Sequence, residues 1–116
     1  MALEHIFPDN SVAKILDFFI DHKNHDYNKN EVARYTGLNR MTITRNWVIL
    51  EENEFIKPVR KIANATQYIL NLDNPVVKKL LEFDWELTKY RSLKIADKEI
   101  AEERVGKLEK SIEEEV

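Results

Sequence analysis

Between Asn39 and Glu52 the side chains able to do chemistry gather on one side of a helical wheel. Ile43, Trp47 and Leu50 fall at i, i+4 and i+7 as an apolar stripe, while Met41, Arg45, Val48 and Glu52 point away from it with Thr42 and Thr44 on the flanks. An α-helix fits the DNA major groove. There an Arg hydrogen-bonds guanine at O6 and N7, a Thr donates or accepts at base edges, and a methyl-bearing side chain meets the thymine methyl. Arg45 is the first candidate for base readout. Arg40, one position into the helix, is placed to hold a phosphate, as are the backbone amides that follow Asn39. Further along, Arg60, Lys61 and Asn64 sit at or beside the tip of an expected hairpin, where a ribbon can lie along a phosphate backbone or enter the minor groove.

Other chemistries find little to work with. His22 and His25 are three apart with Asp26 beside them, but they fall at a helix end and in a loop, His5 stands alone, and the chain has no cysteine. No nucleophile, base and orienting group assemble from local spacing, so no catalytic residue, metal or cofactor is expected and the chain does not read as an enzyme. Trp47 and Trp85 lie on apolar faces and are expected in the core.

These side chains need elements to position them. Asn10 and Ser11 precede Val12, Ile15, Leu16, Phe19 and Ile20, a cap and a first helix ending around residues 21–24. Asn28 stands three residues before Glu31, a capping box that opens a short second helix, which Gly37 ends by taking the left-handed conformation. Asn39 caps the third helix, which runs to about Glu52 or Asn53. Two helices joined through Gly37, the second amphipathic, follow helix-turn-helix grammar. Residues 55–61 and 66–72 read as two short strands turning at Ala63, Asn64 and Ala65, with Pro58 limiting the first to an edge or a bulge and Tyr68, Leu70 and Leu72 alternating against Gln67, Ile69 and Asn71. Asn74 and Pro75 then open a long helix carrying Val76, Val77, Leu80, Leu81, Trp85 and Leu87. Ala101, Val105, Leu108 and Ile112 extend it as a coiled-coil-like seam, interrupted further back at Lys94 and Asp97, and a helix of that length predicts a second chain.

Composition bounds the rest. With 116 residues, 43% hydrophobic and 34% charged, the chain suits one modest core with much exposed helix. Two glycines and three prolines leave little material for phosphate-binding glycine loops or a many-turned barrel. The longest apolar run, residues 15–20, is broken by Asp17 and far short of the roughly 18 residues that span a bilayer. Together with an N-terminus bearing Glu4 and Asp9 rather than a secretion signal, and no cysteine, this predicts a cytoplasmic protein with no membrane contact. The net charge of −3 is unevenly spread. Residues 28–68 carry seven basic against four acidic side chains, whereas residues 1–27 carry two against five and residues 82–116 seven against eleven. A basic island between acidic ends fits a chain that presents its middle to an anion.

At this point the residues resemble the winged helix-turn-helix transcriptional regulators, and within them an archaeal-type group. The resemblance covers about residues 6–92. It rests on Phe7 to Phe19, on Asn30-Glu31-Val32-Ala33 through Gly37-Leu38, and on Ile43, Leu50 and Phe55-Ile56. It continues through Arg60-Lys61-Ile62-Ala63-Asn64-Ala65-Thr66-Gln67-Tyr68 and closes on Leu72-Asp73-Asn74-Pro75-Val76-Val77. It implies a mainly α fold with a small β-hairpin wing (α+β). Residues 1–75 would be the DNA-binding domain and residues 76–116 a C-terminal helical dimerisation or interaction segment. It further implies a homodimeric regulator of transcription on double-stranded DNA. Arg40, Met41, Thr42, Thr44 and Arg45 match the recognition-helix positions, with Asn39 at the helix start, and Arg60, Lys61 and Asn64 match the wing. Glu54 and Ala63 stand where such domains usually place glycine, and Asn53 is expected to take the left-handed turn instead of Glu54. The acidic ends and Glu51-Glu52 point to an alternative: the same fold as a protein-interaction adaptor, or an antitoxin-like autoregulator holding a protein partner on its C-terminal helix.

Overall fold

Asparagines start the helices. In a computed structural model describing residues 2–115, with side chains described for residues 3–102, Asn10, Asn28 and Asn39 each accept the backbone N–H three residues on, at 3.0, 2.9 and 2.8 Å. Asn74 accepts from Val76 at 2.8 Å. Each bond satisfies an N–H that the helix itself leaves without a partner. The helices so opened are α2 (Ser11–Asp21), α3 (Lys29–Thr36), α4 (Arg40–Glu52) and α5 (Pro75–Glu115). A further helix, α1 (Ala2–Ile6), precedes them and was not expected from the sequence. Its amides are capped from a distance: Asp17, 2% exposed within α2, accepts from Leu3 N–H at 3.3 Å and Glu4 N–H at 2.8 Å. The polar residue that breaks the apolar run is thus buried for a stated partner.

The capping box at α3 forms in both directions, with Glu31 Oε1 accepting from Asn28 N–H at 3.1 Å. Gly37 ends the helix at φ 74°, and its N–H bonds the Ala33 carbonyl. From Asn39 the chain re-enters a helix whose inner stripe, Ile43, Trp47 and Leu50, is fully buried. Those three meet Ile15 and Phe19 of α2, Val32 of α3 and Val77 at the start of α5 in one core. The Trp47 ring packs edge-on against Phe19 and Tyr68, with centroids 5.7 and 5.1 Å apart.

Strands β1 (Ile56–Ile62) and β2 (Ala65–Leu70) pair antiparallel around a two-residue loop, Ala63-Asn64. Register slips between Pro58, opposite Tyr68, and Arg60, opposite Gln67. That slip is the bulge expected of a strand holding a proline, since Pro58 has no N–H to give the ladder. The expected alternation of β2 does not hold: Gln67, three per cent exposed, and Leu70 are buried, with Tyr68 half-buried between them. Two neighbours explain this. Tyr68 exchanges both backbone hydrogen bonds with Tyr27 at 2.8 Å, adding a one-residue third strand, and Gln67 donates Nε2 to Glu31 Oε1 at 3.1 Å.

Left-handed backbone appears where glycine was missing. Glu54 has φ 55° and Ala63 φ 54°, whereas Asn53 stays right-handed at φ −86°, so Asn53 does not take the turn in Glu54's place. The Glu54 conformation is held from outside, its carbonyl accepting Nδ2 of Asn71 and of Asn74, both at 2.9 Å. A side chain in this region costs about 1–2 kcal/mol, part of which the stiffer unfolded chain returns. Glu54→Gly and Ala63→Gly should therefore each raise stability by about 0.5–1 kcal/mol, read as a higher urea midpoint at unchanged slope.

Two compact units divide the chain, residues 1–84 and 85–116. The first turns of α5 belong to the former through buried Val77 and half-buried Leu80 and Leu81. In the latter, Trp85 is 62% exposed, which corrects its expected place in the core. No packing layer within its own unit covers that face among the described residues, and Leu93, Ile95 and Ile100 are exposed as well. Of the expected seam, Ala101 is exposed, and the side chains of Val105, Leu108 and Ile112 lie outside those described. No helix among the described residues is long and apolar enough to cross a membrane.

Candidate nucleic-acid interface

Burial of the Ile43-Trp47-Leu50 stripe turns the opposite side of α4 outward. Met41, Thr44, Arg45 and Val48 are exposed there, and Arg40, Met41, Thr44 and Arg45 line a shallow depression of about 460 Å³. Thr42 is half-buried on the flank, its carbonyl bonded to Asn46 Nδ2 at 2.9 Å. Asn39 is exposed, but its Oδ1 is committed to the cap. A base edge would therefore meet Met41, Thr44 and Arg45 first.

The wing tip and the start of α4 face each other across a second cleft of about 480 Å³, lined by Lys29, Asn30, Arg40, Asn64, Thr66 and Tyr68 among others. Arg40 and Asn64, 24 positions apart in sequence, thus share one site. Lys29, Asn30, Thr66 and Tyr68 were not anticipated there. A signal for Lys29 existed: a lysine in the first turn of a helix opposes the macrodipole, and such a placement asks for another reason. Its Nζ lies 5.9 Å from the Trp47 ring centre, which holds the amine at the cleft.

The three wing residues are not equivalent. Lys61 and Asn64 are exposed at the tip. Arg60 sits back along β1 opposite Gln67, where its Nε and Nη2 grip both carboxylate oxygens of Asp26, the latter pair at 3.0 Å. Hydrogen bonding and charge from Arg60 hold the Asp26 carboxyl below its ordinary range, so the pair persists at neutral pH and is released only when acid protonates Asp26. Lys57 is likewise paired, with Asp73 at 3.4 Å. Burial, then the Glu51 charge, pushes the Tyr68 phenol above its usual value, which keeps it a neutral donor toward Glu51 Oε1 at 3.4 Å. The far end of the interface is acidic, with Glu51, Glu52 and Glu54 all exposed. Among the described residues no three His, Cys, Asp or Glu side chains gather as a metal-binding group, and His22 Nδ1 lies 2.8 Å from the Phe18 carbonyl.

Solved structures share this fold. MepR, described as a transcription regulator of the Staphylococcus aureus multidrug efflux pump MepA, superposes with a TM-score of 0.65 at 15% identity over 99% of this chain and 87% of its own. A Lactococcus lactis ZitR double mutant in apo form gives 0.55 at 16% identity over 93% and 88%. A possible transcriptional regulator from Methanosarcina mazei gives 0.51 at 9% over 84% and 82%. No protein-family model and no curated protein matches the sequence. The chain has the winged-helix fold, mostly helical with a two-stranded antiparallel hairpin, and at these identities the likeness speaks for the fold alone.

Proposed function

We propose that this chain is a sequence-specific double-stranded DNA-binding regulator of transcription. In this reading it acts as a homodimer, with α4 in the major groove and the wing on the backbone or minor groove. The observation that carries the proposal is the exposed outer face of α4, with Arg45 at its centre, beside a cleft that Arg40 and Lys29 share with the wing tip. Cations there meet phosphates while the α4 face meets base edges, the division of labour that specific DNA binding requires. That solved proteins of this fold are described as transcription regulators supports the same reading, as does the hairpin followed by Asn74-Pro75-Val76-Val77, which resembles the archaeal-type regulators. Exposed Trp85, Leu93, Ile95 and Ile100 on α5 favour a second copy as their cover. Two copies would set their α4 helices in successive major grooves about 34 Å apart on a nearly palindromic site.

The test is selection from a pool of random-sequence duplexes at two salt concentrations. Enrichment of a two-fold-symmetric motif, with affinity falling steeply in salt, is the expected result. Retention of no duplex at low salt by protein shown to be folded would overturn the proposal. It would favour an adaptor or antitoxin-like role, to which the acidic excess over residues 82–116 would then belong.

A further inference from the structure

Two large apolar side chains stand on the outer face of α4 where a solvated helix would place charges. Met41 is 73% exposed and Val48 52%, in line with exposed Thr44 and Arg45 and opposite the stripe that fills the core. Neither belongs to the buried core. Their surroundings are cationic at the near end, where Arg40 and Arg45 flank Met41, and acidic beyond Val48, where Glu51 and Glu52 begin. An apolar peptide would find little use for the flanking arginines. A polyanion that displays apolar groups between its charges fits both features, and in the major groove the apolar group on a base edge is the C5-methyl of thymine.

We propose that α4 reads thymine by its methyl group, through Met41 and Val48, in addition to whatever Arg45 reads by hydrogen bonding. The inference rests on the DNA-binding reading above. Seven residues separate the two side chains, two turns or about 10.5 Å along the helix axis. Because a helix in the major groove runs obliquely to the duplex axis, this span crosses about two to three base-pair steps at a rise of roughly 3.4 Å each. Each half-site should therefore hold two thymines about two to three steps apart. The acidic end of α4 repels the phosphates beyond Val48 and limits direct readout to the part of the helix up to that residue.

The experiment takes the duplex selected from the random pool and replaces each thymine in turn by deoxyuridine, which removes the methyl and leaves every hydrogen-bonding group in place. For the unaltered protein, two positions per half-site should each weaken binding about fourfold when the methyl is lost, the effect of exposing roughly one buried methyl group. Met41→Ala should abolish the deoxyuridine effect at one of these positions and Val48→Ala at the other. Both side chains are exposed, so both variants should unfold at the parent's temperature. Duplex binding that is indifferent to every thymine methyl, or deoxyuridine effects that persist unchanged in both variants, would overturn the inference and leave the DNA reading standing. Failure to bind any duplex would remove both.

Discussion

Trp47→Ala lowers the stability of the domain by about 3–5 kcal/mol, the loss expected when a fully buried large aromatic side chain leaves a cavity. Trp47 has no exposed surface and lies against Phe19 of α2 and Tyr68 of β2, with the Lys29 amine over its ring. One substitution therefore loosens α4, the hairpin and the cleft between them. For a domain whose total stability is of the order of 5–15 kcal/mol, much of the population would unfold well below the parent's midpoint. Met41→Ala is the control. Its side chain is mostly exposed on the outer face of α4, so the core should unfold as before. Urea titrations of both variants decide the matter, and comparable losses would show that the core is not centred on Trp47.

Arg45→Ala should cost about 1–3 kcal/mol of discrimination at one base position, with binding to random duplex little changed. Arg45 is exposed in the middle of the outer face of α4, clear of the acidic end, and lines the depression beside Met41 and Thr44. Lys61→Ala should behave differently. An exposed wing-tip amine reads no base, so its loss weakens all sequences alike and lowers the salt slope by about one. Arg60→Ala should reduce the slope less than Lys61→Ala does, because the Arg60 guanidinium is already held by Asp26. Competition binding on specific and random duplexes over a salt series separates the three. Equal losses on both duplexes for Arg45→Ala would refute its role in readout.

Local signals account for most of what could be read in advance. Each asparagine cap, the Asn28–Glu31 box and the Gly37 turn depend on residues no more than a few positions apart, so sequence spacing is enough to find them. The outer face of α4 was legible for the same reason, since a helix of known start converts spacing into direction. What escaped was tertiary. Asp17 looked like an interruption until α1, whose amides it caps, was in place. Arg60 looked free until Asp26, 34 residues earlier, reached it. Gln67 belonged to the outer row of its strand by alternation, and the bulge at Pro58–Arg60 with the Tyr27 bridge turned it inward. Trp85 shared an apolar helix face with core residues by spacing, but it falls in the second unit, where its ring stays mostly exposed.

Glu31 Oε1 serves two masters: it accepts from the Asn28 backbone that caps α3 and from Nε2 of Gln67 in the wing, at 3.1 Å each. The wing therefore shares a hydrogen-bond acceptor with α3, the helix that precedes α4. Peeling the hairpin away takes a donor from that carboxylate, and unwinding the first turn of α3 takes the carboxylate from the hairpin. Wing and helix thus belong to a single cooperative unit of unfolding rather than an appendage and its support.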